Sequence, residues 1–403
     1  RSCLINPWFK PDRPHGLVRA GTPSLYHLGA RTHDVWHTGK QHYLTEEAIH
    51  EADDSPVHWT SLENGYGKFL EAAGVRRPGG RAFTGRLVEW SRGHGSYATR
   101  YSIPTTGCYP HELRYFFDGY ITDTSVEAIE QREADRPLFL AANYVAPHPP
   151  LEIPEPYYSM IDLDAIDLPD NVGVWSDRQS PLQMYHLPGM LGARYERDDW
   201  LEIWRVYAGL VRLLDDCVGR VIDTLKANGM YDDAVIVFMA DHGEMLGSHG
   251  LWQKMCSYEE SIRTPLSIRL PGDRTHAGRV ATPISHIDLL PTMCQAMGWE
   301  APADLPGQSL MSTVAEGAPA QWRDVFVQGD GNGTLGLASR TIIRGDEKLT
   351  VDRFKDELFF EGYDLAADPQ EMDNRVLDEP ERFRPLLDAL SEHMRSTGDM
   401  TRL

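Results

Sequence analysis

The spacing of apolar residues predicts a chain built from helices that lead into buried strands. Apolar positions repeat at three- and four-residue steps over residues 198–229, and a similar pattern covers residues 120–136, so both segments are predicted to be helices. Continuous apolar stretches follow at 137–145 and 234–240, and each is typical of a strand buried on both faces of a parallel sheet. A further strand is predicted at 266–270. Helix followed by strand, occurring twice, predicts an α/β fold with a doubly wound, mostly parallel sheet and helices on both faces.

The N-terminal part of the chain has a weaker pattern. Residues 21–28 are predicted to form a short helix with Thr22 or Ser24 near its start, and residues 32–36 a short strand. From Tyr43 to about Pro110 the chain is polar, Gly-rich and without clear periodicity. A long insertion of this kind is usually functional or irregular. It is interpreted as a substrate-facing rim or as a surface excursion, and composition does not separate the two.

The C-terminal part of the chain has a different sequence pattern. Residues 301–321 form a connector rich in Pro, Gly and Ala, and a terminal helix is predicted from about Pro380 to Met394. Short strands are predicted between them, at 325–327, 341–343, 348–351 and 357–360. Closely spaced short strands indicate an antiparallel sheet with a helix packed on it. We therefore expect two parts, a catalytic α/β domain at 1–310 and a smaller antiparallel-sheet-plus-helix subdomain at 311–403.

Composition narrows the classes of function. The 403-residue chain carries a formal net charge of -21, which argues against a nucleic-acid partner and against binding to an anionic membrane. Its apolar runs are far shorter than the roughly 20 residues that span a bilayer, so no membrane segment is expected. The five cysteines are widely spaced and form neither a metal motif nor a disulfide framework. Cys217 is predicted to be a small core residue.

The candidate chemistry lies where predicted strands end. Asp241 and His242 directly follow the stretch 234–240, and a carboxylate with an imidazole suits a divalent cation. His148 is fixed between prolines just beyond the stretch 137–145. A lone histidine is more often structural, but this position favours a functional role.

Cationic groups complete the candidate set. Lys40 and His42 are two residues apart, so their side chains point to the same side of an extended segment; two solvated surface groups are the alternative interpretation. Lys254 follows the Asp241 segment. A divalent ion with lysine and histidine donors can bind a tetrahedral oxyanion ester and stabilise the charge that develops on its oxygens. These residues do not include a nucleophile.

Several segments resemble one known family. The segments DHGEMLGSHGLWQK and YEESIRTPL closely resemble motifs of the sulfatase family of the alkaline-phosphatase-like superfamily. The resemblance extends, in the same order as in the family, to RTHDVWHTGKQHY, PLFLAANYVAPHPP, SHIDLLPTMCQAMG and YDLAADPQEMDN. It therefore covers most of the chain and implies an alkaline-phosphatase-like fold.

The resemblance also implies roles for single residues. Asp241 and His242 match metal ligands; many sulfatases have Asn at the second position, and His is also found there in related phosphonate and phosphodiester hydrolases. Lys254 matches the residue that contacts the sulfate and the bridging oxygen, and His148 the one that assists the leaving group. Lys40 and His42 match residues that orient the nucleophile and the sulfate. Glu244 and His249 also match the motif, where supporting structural positions are the expectation.

The nucleophile of the family is a cysteine oxidised to formylglycine, and its motif does not occur in this sequence. Residues 1–5, RSCLI, resemble the last residue of that motif and the residues just after it. The resemblance therefore makes Arg1 the final arginine of the motif and places the nucleophile four residues before it. Cys3 is not the expected nucleophile. The Thr-Gly pair expected after Ile5 and an opening strand with paired aspartates are also absent, so we expect either that residues upstream belong to the protein or that it is a truncated relative.

Together these observations predict hydrolysis of a sulfate ester with a divalent metal, most simply Ca²⁺, with Mn²⁺ or Mg²⁺ as alternatives. The acidic surface and the Trp/His-rich insertion favour a carbohydrate sulfate as substrate. The first alternative is a metal-dependent phosphonate monoesterase or phosphodiesterase, which His242 favours. The second is a non-catalytic protein that keeps the anion pocket. The resemblance favours a periplasmic or secreted location, with a cytoplasmic one open, and the sequence does not indicate an oligomeric state.

Overall fold

A computed structural model describes residues 18, 21–41, 45–46, 49, 55–90, 96–272, 274–330, 337–401 and 403. The strands are β1 (Asp34–Gly39), β2 (Val57–Ser61), β3 (Thr84–Trp90), β4 (Ser96–Ser102), β5 (Thr106–Tyr109), β6 (Leu138–Asn143), β7 (Leu151–Pro154), β8 (Ile236–Met239), β9 (Leu266–Arg269), β10 (Val325–Asp330), β11 (Leu337–Arg344), β12 (Glu347–Phe354) and β13 (Glu357–Asp364). The α-helices are α1 (Leu25–Gly29), α2 (Gly67–Ala73), α3 (Phe117–Gln131), α4 (Leu187–Gly192), α5 (Arg197–Ala227), α6 (Glu259–Ile262), α7 (Leu289–Met297), α8 (Met311–Glu316) and α9 (Pro380–Thr397).

The long helix α5 organises the main core. Its start is held by a capping box, in which Glu196 accepts from the backbone of Asp199 and Asp199 accepts from the backbone N–H of Glu196. Its buried face includes Trp200 and Cys217, both fully buried, which confirms the predicted helix and the core position of the cysteine. The predicted apolar face included Val211, which is 46% exposed, so the buried face of α5 is slightly rotated from the predicted one. Helix α5 packs against α3, and none of the described helices has the length and apolar character of a membrane span.

A three-stranded parallel sheet, in the order β2-β1-β6, lies at the centre of the α/β part. The parallel arrangement and the strands predicted at 32–36 and 137–145 are confirmed, with bounds shifted by a few residues. The register pairs Gly39 with Asn143, so β1 and β6 end side by side. Helix α3 packs on both of these strands. This edge of the sheet therefore carries the residues that follow β1 and β6.

The predicted burial of the stretch 234–240 in the parallel sheet is wrong. Strand β8 pairs antiparallel with β9, and these two strands form a separate sheet among the described residues. Phe238 and Met239 are 43% and 37% exposed. The physical reason is that burial of a strand on both faces requires neighbours at both of its edges, and β8 has a described partner at one edge.

The described part of the 43–110 insertion is more regular than its composition indicates. Strand β2 belongs to the parallel sheet, β3 and β4 form an antiparallel hairpin, and β5 pairs with β7 in parallel. Trp59 of β2 stacks on His37 of β1, with ring centroids 3.8 Å apart and planes 10° apart. The interpretation as an irregular excursion is therefore wrong for residues 55–90 and 96–110.

The C-terminal part contains a four-stranded antiparallel sheet in the order β10-β11-β12-β13, with α9 packed on it. Apolar side chains from β11 and β12, among them Ile342 and Val351, pack on Phe383 and Leu390 of α9. This confirms the predicted antiparallel-sheet-plus-helix arrangement. The domain boundary near residue 311 stays a prediction.

Candidate active site

Lys40 is positioned by the parallel pairing of β1 and β6. Its backbone N–H donates to the carbonyl of Asn143 over 2.8 Å, and the Asn143 amide donates back to the Lys40 carbonyl over 3.3 Å. Gly39, just before it, has a φ of +101° and leaves no room for a side chain, because an added Cβ would lie 2.2 Å from the Asn143 carbonyl oxygen. The strand ends are therefore in close contact, and Lys40 leaves the sheet beside the segment that leads to His148.

The imidazole of His148 is neutral and oriented. Its Nδ1 lies 2.6 Å from the Pro149 carbonyl oxygen, and since a carbonyl only accepts, Nδ1 carries the proton. Its Nε2 lies 2.7 Å from Nζ of Lys254 and therefore accepts a hydrogen bond from that ammonium. Burial lowers the pKa of His148 well below its ordinary value, and the charges of the two nearby lysines lower it further. His148 and Lys254 thus form a hydrogen-bonded pair.

Lys254 stands at the end of a tightly anchored loop that starts at Asp241. Before it, the backbone carbonyl of Gln253 accepts from Met245 over 2.8 Å, and the indole of Trp252 donates to the Ser102 carbonyl over 2.9 Å. Burial lowers the pKa of Lys254 and raises that of Glu244, and the attraction between the two charges opposes both changes. Glu244 therefore lies close enough to Lys254 to support its charge.

Asp241 and His242 have the geometry of two neighbouring metal ligands. Nε2 of His242 lies 3.6 Å from Oδ1 of Asp241, a separation compatible with both atoms binding one cation. Nδ1 of His242 lies 2.8 Å from the Gly243 carbonyl oxygen, which fixes the proton on Nδ1 and leaves the lone pair of the ring on Nε2. Burial lowers the pKa of His242 to about 4, so the ring is neutral at pH 7.

The positive charges of Lys40 and Lys254 lie near these two residues and favour the binding of an anion beside them. Desolvation acts to raise the pKa of Asp241, but the neighbouring imidazole and the two lysines outweigh it and hold that pKa below its ordinary value. No group of three or more His, Cys, Asp or Glu side chains that would hold a metal occurs in the described ranges. Asp241 and His242 provide one carboxylate oxygen and one imidazole nitrogen, which are donor types that suit a divalent cation.

Five of the predicted site residues lie together: Lys40, His148, Asp241, His242 and Lys254. The rings of His148 and His242 are 6.0 Å apart, and the charges of both lysines reach both rings and Asp241. The other two predicted residues, Arg1 and His42, lie outside the described residues, as does Cys3. The roles assigned to all seven stay predictions.

His249 lies in the core near the C-terminal sheet. It is fully buried and stacks on Tyr258, with ring centroids 3.8 Å apart and planes 5° apart. Burial lowers its pKa to about 3. A neutral, stacked ring of this kind packs the loop that carries Lys254.

Two residues near the site were not singled out from the sequence. The Nε2 of His286 lies 3.1 Å from the Thr264 hydroxyl, and the charge of Asp241 acts on this ring. Asp118 is fully buried and holds the start of the segment that leads to His148. His286 lies in the motif segment SHIDLLPTMCQAMG, so the sequence contains a signal that could have identified it. Asp118 lies in the first turn of a helix, where a carboxylate is commonly explained by the helix dipole.

Comparison with known proteins identifies the family. The family model described as Sulfatase matches residues 57–299, more than half of the chain. A second model, described as N-sulphoglucosamine sulphohydrolase, C-terminal, matches residues 247–399. The two matches together extend from the parallel sheet to the last helix.

Individual relatives agree with these matches. The chain is 31% identical to the multifunctional alkaline phosphatase superfamily protein PehA of Trinickia caryophylli over 306 residues, which is 68% of this chain and 58% of that protein. It is 34% identical to the N-acetylglucosamine-6-O-sulfatase of Bacteroides thetaiotaomicron over 175 residues, which is 42% of this chain and 31% of that protein. The chain spans about half the length of the first curated relatives it matches.

A solved structure shows the same fold. The phosphonate monoester hydrolase of Silicibacter pomeroyi superposes with a TM-score of 0.73 at 24% identity, covering 95% of this chain and 82% of that chain. Such a likeness shows the alkaline-phosphatase-like fold. Together with the family match over residues 57–299, it leads to one conclusion: the chain is a member of the sulfatase family.

Proposed function

We propose that the full-length protein hydrolyses a sulfate ester of a carbohydrate. The observation that carries this proposal is the convergence of the Lys254–His148 pair, Lys40 and the Asp241–His242 ligand pair at one place. Two lysines and a metal site provide positive charge for a tetrahedral anion, and a sulfate ester has such a group.

The hydrogen bonding of Lys254 indicates how the leaving group is handled. An ammonium has three N–H donors, and one of them is used by Nε2 of His148. The other donors are available for a sulfate oxygen and for the bridging oxygen, on which negative charge develops as the ester bond breaks. In this arrangement His148 orients Lys254. His148 acts as the acid itself only when its Nε2 carries a proton.

Asp241 and His242 would hold the metal, which we propose to be Ca²⁺, with Mn²⁺ or Mg²⁺ as alternatives. When bound, the ion polarises a sulfate oxygen and favours the deprotonated nucleophile. We further propose that the nucleophile is a formylglycine made from a cysteine upstream of Arg1. Support for it comes from the resemblance of residues 1–5 to the end of the family's nucleophile motif.

A sulfated carbohydrate is the proposed substrate because two comparisons support it. The curated relative from Bacteroides thetaiotaomicron acts, by its name, on N-acetylglucosamine 6-O-sulfate, and the second family model carries the name of a sulphoglucosamine sulphohydrolase. Hydrolysis of a phosphonate monoester is the second candidate function, and His242 and the fold of the Silicibacter pomeroyi enzyme favour it. Export from the cytoplasm is proposed from the family resemblance alone.

The experiment compares substrates on the full-length protein. We expect kcat/KM for N-acetylglucosamine 6-sulfate and 4-nitrophenyl sulfate to exceed that for phenyl 4-nitrophenylphosphonate by at least about tenfold. Lys254→Ala should lower sulfate hydrolysis by about 10³-fold, the scale of losing a charged donor to a developing oxyanion. Lys226→Ala is the matched control, because that lysine pairs with Asp223 on the exposed surface of α5, and its activity should equal that of the wild type.

Preference for the phosphonate would overturn the sulfatase proposal in favour of the second candidate. Sulfate binding without turnover of any of the three substrates would instead support a non-catalytic anion-binding protein.

A further inference from the structure

Asp118 is a fully buried carboxylate with no role in the chemistry proposed above. It is the second residue of α3, and its side chain is 0% exposed. Its Oδ1 accepts two backbone hydrogen bonds, from Val145 over 2.8 Å and from Ala146 over 2.9 Å. One carboxylate oxygen therefore holds two consecutive N–H groups of a segment 27 residues away in the chain.

The segment that Asp118 holds is the start of the loop that carries His148. The backbone N–H of His148 donates to the Val145 carbonyl over 2.8 Å, so the turn that presents the imidazole rests on residue 145. Two residues earlier, Asn143 is bound to the backbone of Lys40. The loop is thus held at two places before His148, by the backbone of Lys40 at residue 143 and by Asp118 of α3 at residues 145 and 146.

Opposing effects act on the pKa of the Asp118 carboxyl. Burial raises its pKa to about 6, while backbone N–H groups and the positive charge of Lys40 act in the opposite direction. Its second oxygen, Oδ2, has no hydrogen-bond partner in the described part of the chain. Hydrogen bonds to an ionised acceptor are stronger than those to a neutral one, so the carboxylate holds the two backbone N–H groups more firmly than an amide oxygen would.

The start of α3 provides a rigid base for this carboxylate. Gly119 packs so closely that an added Cβ would lie 1.9 Å from the Leu113 carbonyl oxygen. Within α3, the Thr122 hydroxyl donates to the Asp118 carbonyl over 2.7 Å. A shift of the Asp118 backbone would therefore require the helix start to move against residues 113–114.

We propose that Asp118 is a positioning residue, whose carboxylate fixes the loop of residues 144–148 so that His148 meets Lys254. The inference rests on the proposed function only in assuming that the His148–Lys254 pair takes part in sulfate ester cleavage. Asp118 itself touches neither the substrate nor the reacting atoms.

The test uses three variants of the full-length protein. Asp118→Ala removes the acceptor and the charge, Asp118→Asn keeps an acceptor oxygen and removes the charge, and Asp123→Asn is the matched control. Asp123 lies on the same helix and pairs with Arg220 over 2.8 Å, away from the loop. Each variant is assayed with 4-nitrophenyl sulfate, which has a good leaving group, and with phenyl sulfate, which has a poor one. Backbone hydrogen exchange of residues 144–148 is measured in parallel.

A positioning role predicts a loss that depends on the leaving group. For Asp118→Ala, kcat for phenyl sulfate should fall by about 10²-fold, because misplacement by about 1 Å has that effect, while KM changes little. The loss for 4-nitrophenyl sulfate should be at least about tenfold smaller, since that leaving group needs less stabilisation. Hydrogen exchange at residues 145 and 146 should accelerate. Asp118→Asn should keep most of the protection and lose an intermediate amount of activity, and Asp123→Asn should match the wild type.

The opposite results would overturn the proposal. Equal losses on both substrates, or similar losses in Asp123→Asn, would reduce Asp118 to a general stabilising residue. Unchanged exchange at residues 145 and 146 in Asp118→Ala would also contradict it. If Asp118→Ala does not fold, Asp118→Asn decides between the same outcomes. If the wild type hydrolyses neither sulfate, the proposed function fails, and the exchange measurement still tests the anchoring by Asp118.

Discussion

Replacing Gly39 by alanine perturbs the site without removing any functional group. The added Cβ would lie 2.2 Å from the Asn143 carbonyl oxygen and 3.1 Å from Cδ1 of Ile121. Ordinary contacts between such atoms are about 3.5 Å, so the ends of β1 and β6 must separate by about 1 Å. The φ of +101° is also strained for any side-chain-bearing residue, which costs about 1–3 kcal/mol.

The expected consequences arise from these two effects. Separation of the strand ends breaks the hydrogen bond from Lys40 to Asn143, worth about 1 kcal/mol, so the free energy of unfolding should fall by about 2–4 kcal/mol in total. It also moves Lys40 relative to His148. A displacement of about 1 Å at a catalytic group lowers the rate by about 10²-fold. Urea denaturation and kcat/KM with 4-nitrophenyl sulfate, both on the full-length protein, measure the two effects.

Gly229→Ala is the matched control. Gly229 follows α5 with a φ of +66°, and an added Cβ there meets nothing within 4 Å. It should lose about 1 kcal/mol of stability from backbone strain and keep its activity. A Gly39→Ala protein with wild-type stability and wild-type kcat/KM would refute the idea that contact between the ends of β1 and β6 positions Lys40.

Three further predictions concern buried charges and the metal. Burial raises the pKa of Glu361 to about 8, above its ordinary 4.5, so the folded state binds more protons between these values. The contribution of Glu361 to stability therefore falls as pH rises towards 8, by up to about 5 kcal/mol. Thermal melts from pH 5 to 8.5 should show a fall in stability, and Glu361→Gln should make that fall smaller. Lys348→Met leaves the buried Glu371 without its ion-pair partner and should cost about 3 kcal/mol at pH 8 in urea denaturation. The cost should be smaller at pH 6, because burial raises the pKa of Glu371 to about 7 and its carboxyl is protonated more often at the lower pH. Equal losses at both pH values would contradict this prediction. Asp241→Asn should lower the metal content of the purified protein, measured by elemental mass spectrometry, and a wild-type content would remove Asp241 from the ligand set.

The parts of the fold that the sequence predicts well are those with a strong local pattern. Helix α5 has apolar residues at helical spacing over its whole length, and the antiparallel C-terminal strands alternate with turns. The predicted burial of β8 in the parallel sheet was wrong because burial depends on neighbouring strands, and a local apolar run does not specify those. Strand β2 was missed because its five residues, VHWTS, mix polar and apolar types on a strand that is only partly buried.

The site shows the same division. The motif segments identify Asp241, His242, Lys254 and His148, and the structure brings these residues together. Asp118 was missed because its two hydrogen-bond partners lie beyond the next strand, and its own position in a first helical turn has an ordinary explanation. Long-range backbone contacts of this kind leave no pattern in the local sequence.

The central claim is that Lys254 and His148 act as one unit in sulfate ester cleavage. The most direct measurement is a double-mutant cycle on the full-length protein, using kcat/KM for phenyl sulfate with Lys254→Ala, His148→Ala and the double variant. The account predicts that the double variant is hardly slower than the slower single variant, a coupling of at least about 1.4 kcal/mol, or about tenfold. Effects that add to within about 0.5 kcal/mol would contradict it, because independent residues behave in that way.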